Sequence, residues 1–247
     1  MTISSINEIP NNTLPIQKPI KEVMNINIPN IKTENIPQRN GGIVVLSGSG
    51  GSGKTNSLLN FFKSKDLYKN IFHNVWYICP NSSFLSVEKH PFENHDRVLH
   101  EIDATTLYEI YDTLESKKEK NVLKKRPIEY NCMIFDDYAD ILKDKSMIMA
   151  LNKLLIKARH LNCTFFFTLQ SYYYMPKILR KQITYCIIFK CKNVEEWYTL
   201  SKELLNMKSQ DALILYKYLY DVPYAHLDID TVSTTYYKNF IKLEINN

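Results

Sequence analysis

A three-layer α/β fold built on a mostly parallel central sheet is what this sequence predicts, on three observations. Short apolar segments of strand length alternate with longer segments whose apolar residues recur at helical spacing. The strand-like segments are apolar on both faces, so both faces have to be covered, as in a parallel sheet sandwiched between helices. A glycine cluster stands directly between the first such strand and the first such helix.

The elements follow in order from Gly41. Ile43–Ser47 reads as a short buried strand, and Lys54–Lys63 as a helix with Leu58, Leu59, Phe61 and Phe62 inward. Val75–Cys79 is a second strand and Arg97–Ile102 a weaker one. Asp103 is placed to cap a helix in which Leu107, Ile110, Tyr111 and Leu114 share a face. Lys117, Lys118, Lys120, Lys124, Lys125 and Arg126 form a basic run, expected to be a solvated loop, with contact to a nucleic-acid backbone as the alternative. Cys132–Phe135 is a buried strand ending in Asp136-Asp137, and Lys145–His160 is amphipathic, with Met147, Leu151, Leu154, Leu155 and Ala158 on one side. Cys163–Leu169 and Tyr185–Phe189 are further apolar strands, Val194–Leu205 is helical, and Pro223–Ile229 reads as a late strand. Tyr172-Tyr173-Tyr174 suits packing or a subunit contact better than base stacking.

Residues 1–40 differ from the rest. They carry Pro10, Pro15, Pro19, Pro29 and Pro37, half of the 10 prolines, with no helical or strand period. An extended or disordered arm is expected there, followed by one domain over residues 41–247. The opening MTISSINEIPNNT lacks a basic start followed by an apolar stretch, so neither a secretory signal nor a membrane anchor is expected. The 5 cysteines show no paired spacing and four lie in strand-like runs, which fits reduced core thiols. A net charge of +5 permits nucleic-acid contact without requiring it, and the 6 histidines show no metal-ligand spacing.

The strongest chemical signal is Gly48-Ser49-Gly50-Gly51-Ser52-Gly53-Lys54-Thr55, a phosphate-binding P-loop in its required place after a strand and before a helix. Its glycines let backbone N–H groups turn toward phosphate oxygens, and the helix start adds positive partial charge. Lys54 is expected to reach the β- and γ-phosphates, and the Thr55 hydroxyl to ligate Mg²⁺. All 6 glycines of the chain lie between Gly41 and Gly53, so glycine is concentrated where phosphate would approach the backbone. ATP with Mg²⁺ is the expected ligand. Downstream, Asp136 at the end of an apolar strand is expected to hold the metal through water, and Asp137 to orient or deprotonate the attacking water. Gln170, closing Cys163–Leu169, would face the same crevice and sense the γ-phosphate or that water. Arg159 and Arg180 are the two candidates for an arginine finger supplied to a neighbouring subunit's nucleotide.

With these signals in order, the block Lys157-Ala158-Arg159-His160-Leu161-Asn162-Cys163-Thr164-Phe165-Phe166-Phe167-Thr168-Leu169-Gln170 resembles the FtsK/HerA superfamily of DNA-translocating ATPases. Pro80-Asn81, Asp136-Asp137 and Arg159-His160 are most similar to the poxvirus-type genome-packaging branch of large DNA viruses and virophages, over about Gly41–Asp230. The resemblance implies a RecA-like, ASCE-type core and a homo-oligomeric ring, pentamer or hexamer. It also implies ATP-driven movement of double-stranded DNA into a capsid, with capsid proteins as further partners. A place in the virion or the host cytoplasm follows from it, as does Arg159 as the preferred finger, with Arg180 second. Asp137 departs from the pattern, since many relatives carry Glu there. No membrane segment is expected before the core and no DNA-reading domain after it.

Two other functions fit the sequence less well. A small-molecule or nucleoside kinase would carry a lid of several arginines, and no such cluster follows Gln170. A non-hydrolysing nucleotide scaffold would not need Lys54, Thr55, Asp136 and Asp137 together. Asn152-Lys153 runs on into Leu154-Leu155, so the chain lacks a guanine-reading Asn-Lys-x-Asp.

Overall fold

The computed structural model describes residues 27–33 and 35–244. Among these residues, nine strands form one sheet in the order β3-β2-β4-β5-β1-β6-β7-β8-β9. Six of them run parallel: β1 (Ile43–Ser47), β2 (Asn74–Ile78), β3 (Val98–Leu99), β4 (Asn131–Phe135), β5 (Cys163–Leu169) and β6 (Tyr185–Phe189). The remaining three, β7 (His226–Asp230), β8 (Thr235–Lys238) and β9 (Ile241–Leu243), add an antiparallel edge beside β6. The helices are α1 (Lys54–Lys63), α2 (Asn81–Leu85), α3 (Ala104–Leu123), α4 (Lys145–Lys157), α5 (Lys177–Arg180), α6 (Val194–Leu205) and α7 (Ser209–Leu219).

The layering follows from the two-residue period of the strands. Val44 and Leu46 of β1, Ile134 of β4 and Phe166 of β5 point to one side, where Leu58, Leu59 and Phe62 of α1 cover them. Ile43, Val45, Met133, Phe135, Phe165 and Phe167 point to the other, under Leu107 and Leu114 of α3, Leu151 and Leu154 of α4, and Trp197 of α6. Each of these mostly apolar strands therefore has both of its faces buried, the condition that predicted the parallel sheet. All five cysteines are buried and free. Among the described residues, no helix is long and apolar enough to cross a membrane.

The structure departs from expectation in four places. Residues 27–33 and 35–40 pack on the domain rather than forming a separate arm. Ile28 and Ile36 are buried, Asn27 bridges to Arg39, and the Tyr68 and Tyr185 hydroxyls donate to the carbonyls of Pro37 and Asn35. The expected division at residue 40 thus falls inside a packed segment. Its prolines exclude helix without excluding burial; residues 1–26 of the expected arm lie outside the described residues. The basic run is not a loop throughout, because α3 continues to Leu123. Its Lys and Glu residues are good helix formers, and Lys117 is tied to Glu129 at 2.7 Å. The weak strand shrinks to Val98–Leu99. Finally, the late strand is antiparallel, and α2, α7, β8 and β9 have no counterpart in the sequence reading.

Candidate functional site

The groups expected to touch a nucleotide stand at the carboxyl ends of adjacent strands: the glycine loop after β1, Asp136-Asp137 after β4 and Gln170 after β5. In open α/β sheets this is where ligands bind. The loop leaves β1 with no room for side chains at its base, since a Cβ on Gly48 would lie 2.6 Å from Phe189 Cβ. It enters α1 through Gly53, whose φ of 99° is left-handed. The amides of Gly48 and Ser49 donate to the carbonyls of Leu169 and Lys190, which anchors the loop to the neighbouring strand ends.

Two features make the loop suited to phosphate. A Cβ added at Gly50 or Gly51 would meet nothing within 4 Å, and the buried Ser52 hydroxyl has no partner among the described residues. Lys54 lies across the loop with Nζ 2.8 Å from both the Gly48 and the Ser49 carbonyl oxygens. Burial pushes its ammonium below the usual lysine value, and the charges of Asp137 and Asp136 pull it back up.

The Thr55 hydroxyl donates to Asp136 Oδ1 at 2.9 Å. A hydroxyl and a carboxylate in contact are hard oxygen donors of the kind Mg²⁺ takes alongside phosphate oxygens. Asp136 is buried and is held from two more directions: Thr168 Oγ1 donates to Oδ1 at 2.5 Å and the Tyr77 hydroxyl to Oδ2 at 2.5 Å. Burial first, and then Asp136, raise the Tyr77 phenol, so it stays a proton donor. The Cys79 thiol nearby is pushed up to about 12, by burial and then by Asp136 and Asp137. Asp137 has φ 53°; its amide donates to Thr168 Oγ1 at 2.8 Å, and its carboxylate accepts from Ser83 Oγ at 3.0 Å and Gln170 Nε2 at 3.3 Å. Lys54, Thr55, Asp136, Asp137 and Gln170 thus meet around one mouth.

Sequence reasoning missed Tyr77, Ser83 and Thr168. Thr168 left a usable trace, a hydroxyl near the carboxyl end of a mostly apolar strand and on the same face as Gln170 two residues later. Tyr77 left none, because only the β2–β4 pairing brings it to Asp136.

The two arginines are elsewhere. Arg159 is exposed just before β5, at the opposite end of that strand from Gln170. At ~3.3 Å per residue the separation is about 20 Å, so it cannot reach its own chain's loop. Arg180 is engaged within its own chain: its guanidinium lies over the rings of Tyr172 and Tyr173 at 5.3 and 4.8 Å and its Nε is 3.4 Å from Glu203. Tyr172 is buried, Tyr173 half-buried and Tyr174 exposed, so the triple tyrosine serves largely as packing.

A phosphate loop after β1, a hydroxyl–carboxylate pair and a terminal glutamine on a mostly parallel sheet define the class of protein: a RecA-like P-loop ATPase. Residues 32–216 match the family model described as Poxvirus A32 protein. The chain belongs to that family, and the resemblance to the poxvirus-type branch carried by Pro80-Asn81, Asp136-Asp137 and Arg159-His160 is borne out. Solved structures agree on the fold. The genome packaging NTPase B204 of Sulfolobus turreted icosahedral virus 2, in complex with AMPPCP, is 20% identical with a TM-score of 0.53, covering 84% of this chain and 100% of that one. B204 of Sulfolobus turreted icosahedral virus, a DNA-packaging ATPase, gives 19% and 0.56, covering 83% and 98%. EssC (ATPases 2 and 3) of Geobacillus thermodenitrificans gives 14% and 0.56, covering 78% of this chain and 38% of that one. No curated protein matches the sequence.

Proposed function

We propose that this chain is the ATP-hydrolysing subunit of a ring motor that moves double-stranded DNA and packages a viral genome into its capsid. The observation that carries the reading is the meeting of Thr55 and Asp136 at 2.9 Å beside the glycine loop, with Asp137 and Gln170 at the same mouth, in a member of the poxvirus A32 family. The packaging role named for B204 is the role this reading gives the chain.

Water attacks the γ-phosphate in line with the departing β-phosphate oxygen. The loop amides and the Ser52 hydroxyl hold the phosphates, and Lys54 Nζ turns from the Gly48 and Ser49 carbonyls onto the β- and γ-oxygens. Thr55 and, through water, Asp136 would hold Mg²⁺, which supplies charge neutralisation on those oxygens. Asp137 takes the proton of the attacking water, and Gln170, already 3.3 Å from it, orients that water. An aspartate is shorter than the glutamate of many relatives, and the approach of Gln170 and Ser83 to Asp137 is how this site would position it. Arg159 completes a neighbour's site, since it cannot complete its own. DNA is gripped chiefly by its backbone, because packaging has to tolerate any sequence.

The test is the ATPase rate of purified protein at two concentrations, with and without linear double-stranded DNA. The rate is expected to rise with DNA and more steeply than linearly with protein. Lys54→Ala is expected to abolish turnover while circular dichroism and melting remain those of the wild type. A wild-type rate indifferent to DNA and to concentration would overturn the motor, and unchanged turnover in Lys54→Ala would overturn the site.

A further inference from the structure

The phosphate chemistry leaves one conspicuous side chain beside the loop unused. Tyr224 lies between α7 and β7, and its ring edge stands over the last glycine of the loop: a Cβ on Gly53 would be 3.2 Å from Tyr224 Cδ1. The residue is 71% exposed, so packing does not hold it there. Its φ is 63°, a left-handed backbone that a bulky side chain rarely adopts. The surroundings maintain that conformation from both sides. The Tyr220 hydroxyl donates to the Ile188 carbonyl at 2.9 Å, Ala225 is buried, and the His226 amide donates to Asn239 Oδ1 at 2.9 Å. An exposed aromatic ring on a strained, doubly anchored backbone is an arrangement suited to presenting the ring to a ligand.

The cleft it borders has a volume of about 360 Å³ and is lined by Ser49, Gly50 and Ser52 on the loop side and by Lys190, Asp221 and Tyr224 on the other. It opens directly onto the positions where a Cβ at Gly50 or Gly51 would meet nothing. A ligand filling both places carries phosphates at one end and a flat ring at the other. We infer that this cleft is the base subsite of the bound nucleotide and that Tyr224 is the platform on which the base stacks. Stacking is tolerant of base identity but grows with overlap, so a purine nucleoside triphosphate is held better than a pyrimidine one. This inference rests on the P-loop reading of the phosphate site and adds the residue that selects what lies beyond the phosphates.

The experiment compares the binding of Mg·ATP, Mg·CTP and Mg·tripolyphosphate, by calorimetry, to wild type, Tyr224→Asn and Tyr224→Trp. Asn accepts the left-handed backbone, so the first variant removes the ring and leaves the turn. Tyr224→Asn is expected to weaken ATP about 10-fold or more, to leave tripolyphosphate unchanged, and to lose the preference for ATP over CTP. Tyr224→Trp is expected to bind ATP as well as wild type or better. Wild-type ATP affinity in Tyr224→Asn overturns the inference, and so does an equal loss for ATP and tripolyphosphate, which would place the effect in the loop. Failure of the wild type to bind either probe overturns the P-loop reading itself, and this inference with it.

Discussion

Thr168 decides how the two neighbouring carboxylates are used. Its hydroxyl donates a hydrogen bond to Asp136 Oδ1 and accepts one from the Asp137 amide, so one side chain positions both the carboxylate proposed to hold the metal and the one proposed to act on water. Removing it takes away the partner of the Asp137 N–H, which is only partly buried, so the cost falls below the ~1–3 kcal/mol of a fully buried group. Thr168→Val is therefore expected to lower thermal stability modestly. It is also expected to lower ATP turnover about 10- to 100-fold, the range usual for groups that orient metal-site ligands. Thr168→Ser, which keeps the hydroxyl, is expected to recover most of the rate. Steady-state ATPase assays alongside melting curves check this, and a Thr168→Val enzyme with normal turnover would remove Thr168 from the site.

At the scale of elements, two helices on the same face of the sheet begin on aspartates. Asp103 accepts the Thr106 amide at 2.8 Å at the start of α3, and Asp144 accepts the Met147 amide at 2.8 Å at the start of α4. Both carboxyls lie below the ordinary 3.8: Asp103 through the Thr106 amide and then its hydroxyl, Asp144 through the Ser146 hydroxyl and then the Met147 amide. A carboxyl held lower in the folded than in the unfolded chain adds stability that is fully present above the unfolded value. That stability is lost as pH falls through the folded value. Acidification from neutral pH to below 3.8 is therefore expected to weaken the α3–α4 layer. Asn caps helices without titrating, so Asp103→Asn combined with Asp144→Asn is expected to flatten that part of the decline. Melting temperatures of variant and wild type across this pH range measure the difference; parallel curves would show that the two caps contribute no pH dependence.

At the scale of the whole molecule, a single chain does not contain the complete proposed reaction. Arg159 stands at the end of β5 remote from the loop, and its backbone is packed against Gly41, where a Cβ would lie 2.4 Å from Arg159 Cα. The start of β1 and the finger candidate are therefore one rigid unit, and a subunit following round a ring could present it to its neighbour. A finger in trans is worth ~10³–10⁵ in rate. Arg159→Ala is expected to lose about that much, and mixing it with Lys54→Ala is expected to restore part of it, because some sites then pair an intact loop with an intact arginine. An ATPase titration of one variant into the other reads this. Absence of complementation in rings that still assemble would remove Arg159 from the role, and Arg180 would inherit it only if it could leave Tyr172, Tyr173 and Glu203.

Local chemistry made much of this protein legible in its sequence. β1, α1, β5, β6 and α6 lie where apolar run length and helical spacing put them, because a strand buried on both faces tolerates few polar residues. The glycine loop was legible because its backbone requirement is met by few other residue types. Asp136-Asp137 and Gln170 were legible because they end such strands. The tertiary structure alone decided that Tyr77 and Thr168 converge on Asp136, that Arg180 is occupied, and that residues 27–33 and 35–40 belong to the packed domain. It alone carried Tyr224 across to Gly53. Each of these depends on which strands become neighbours and how distant turns close over the loop. That choice is made by burial summed over both faces of the sheet, and no local spacing in the chain encodes it.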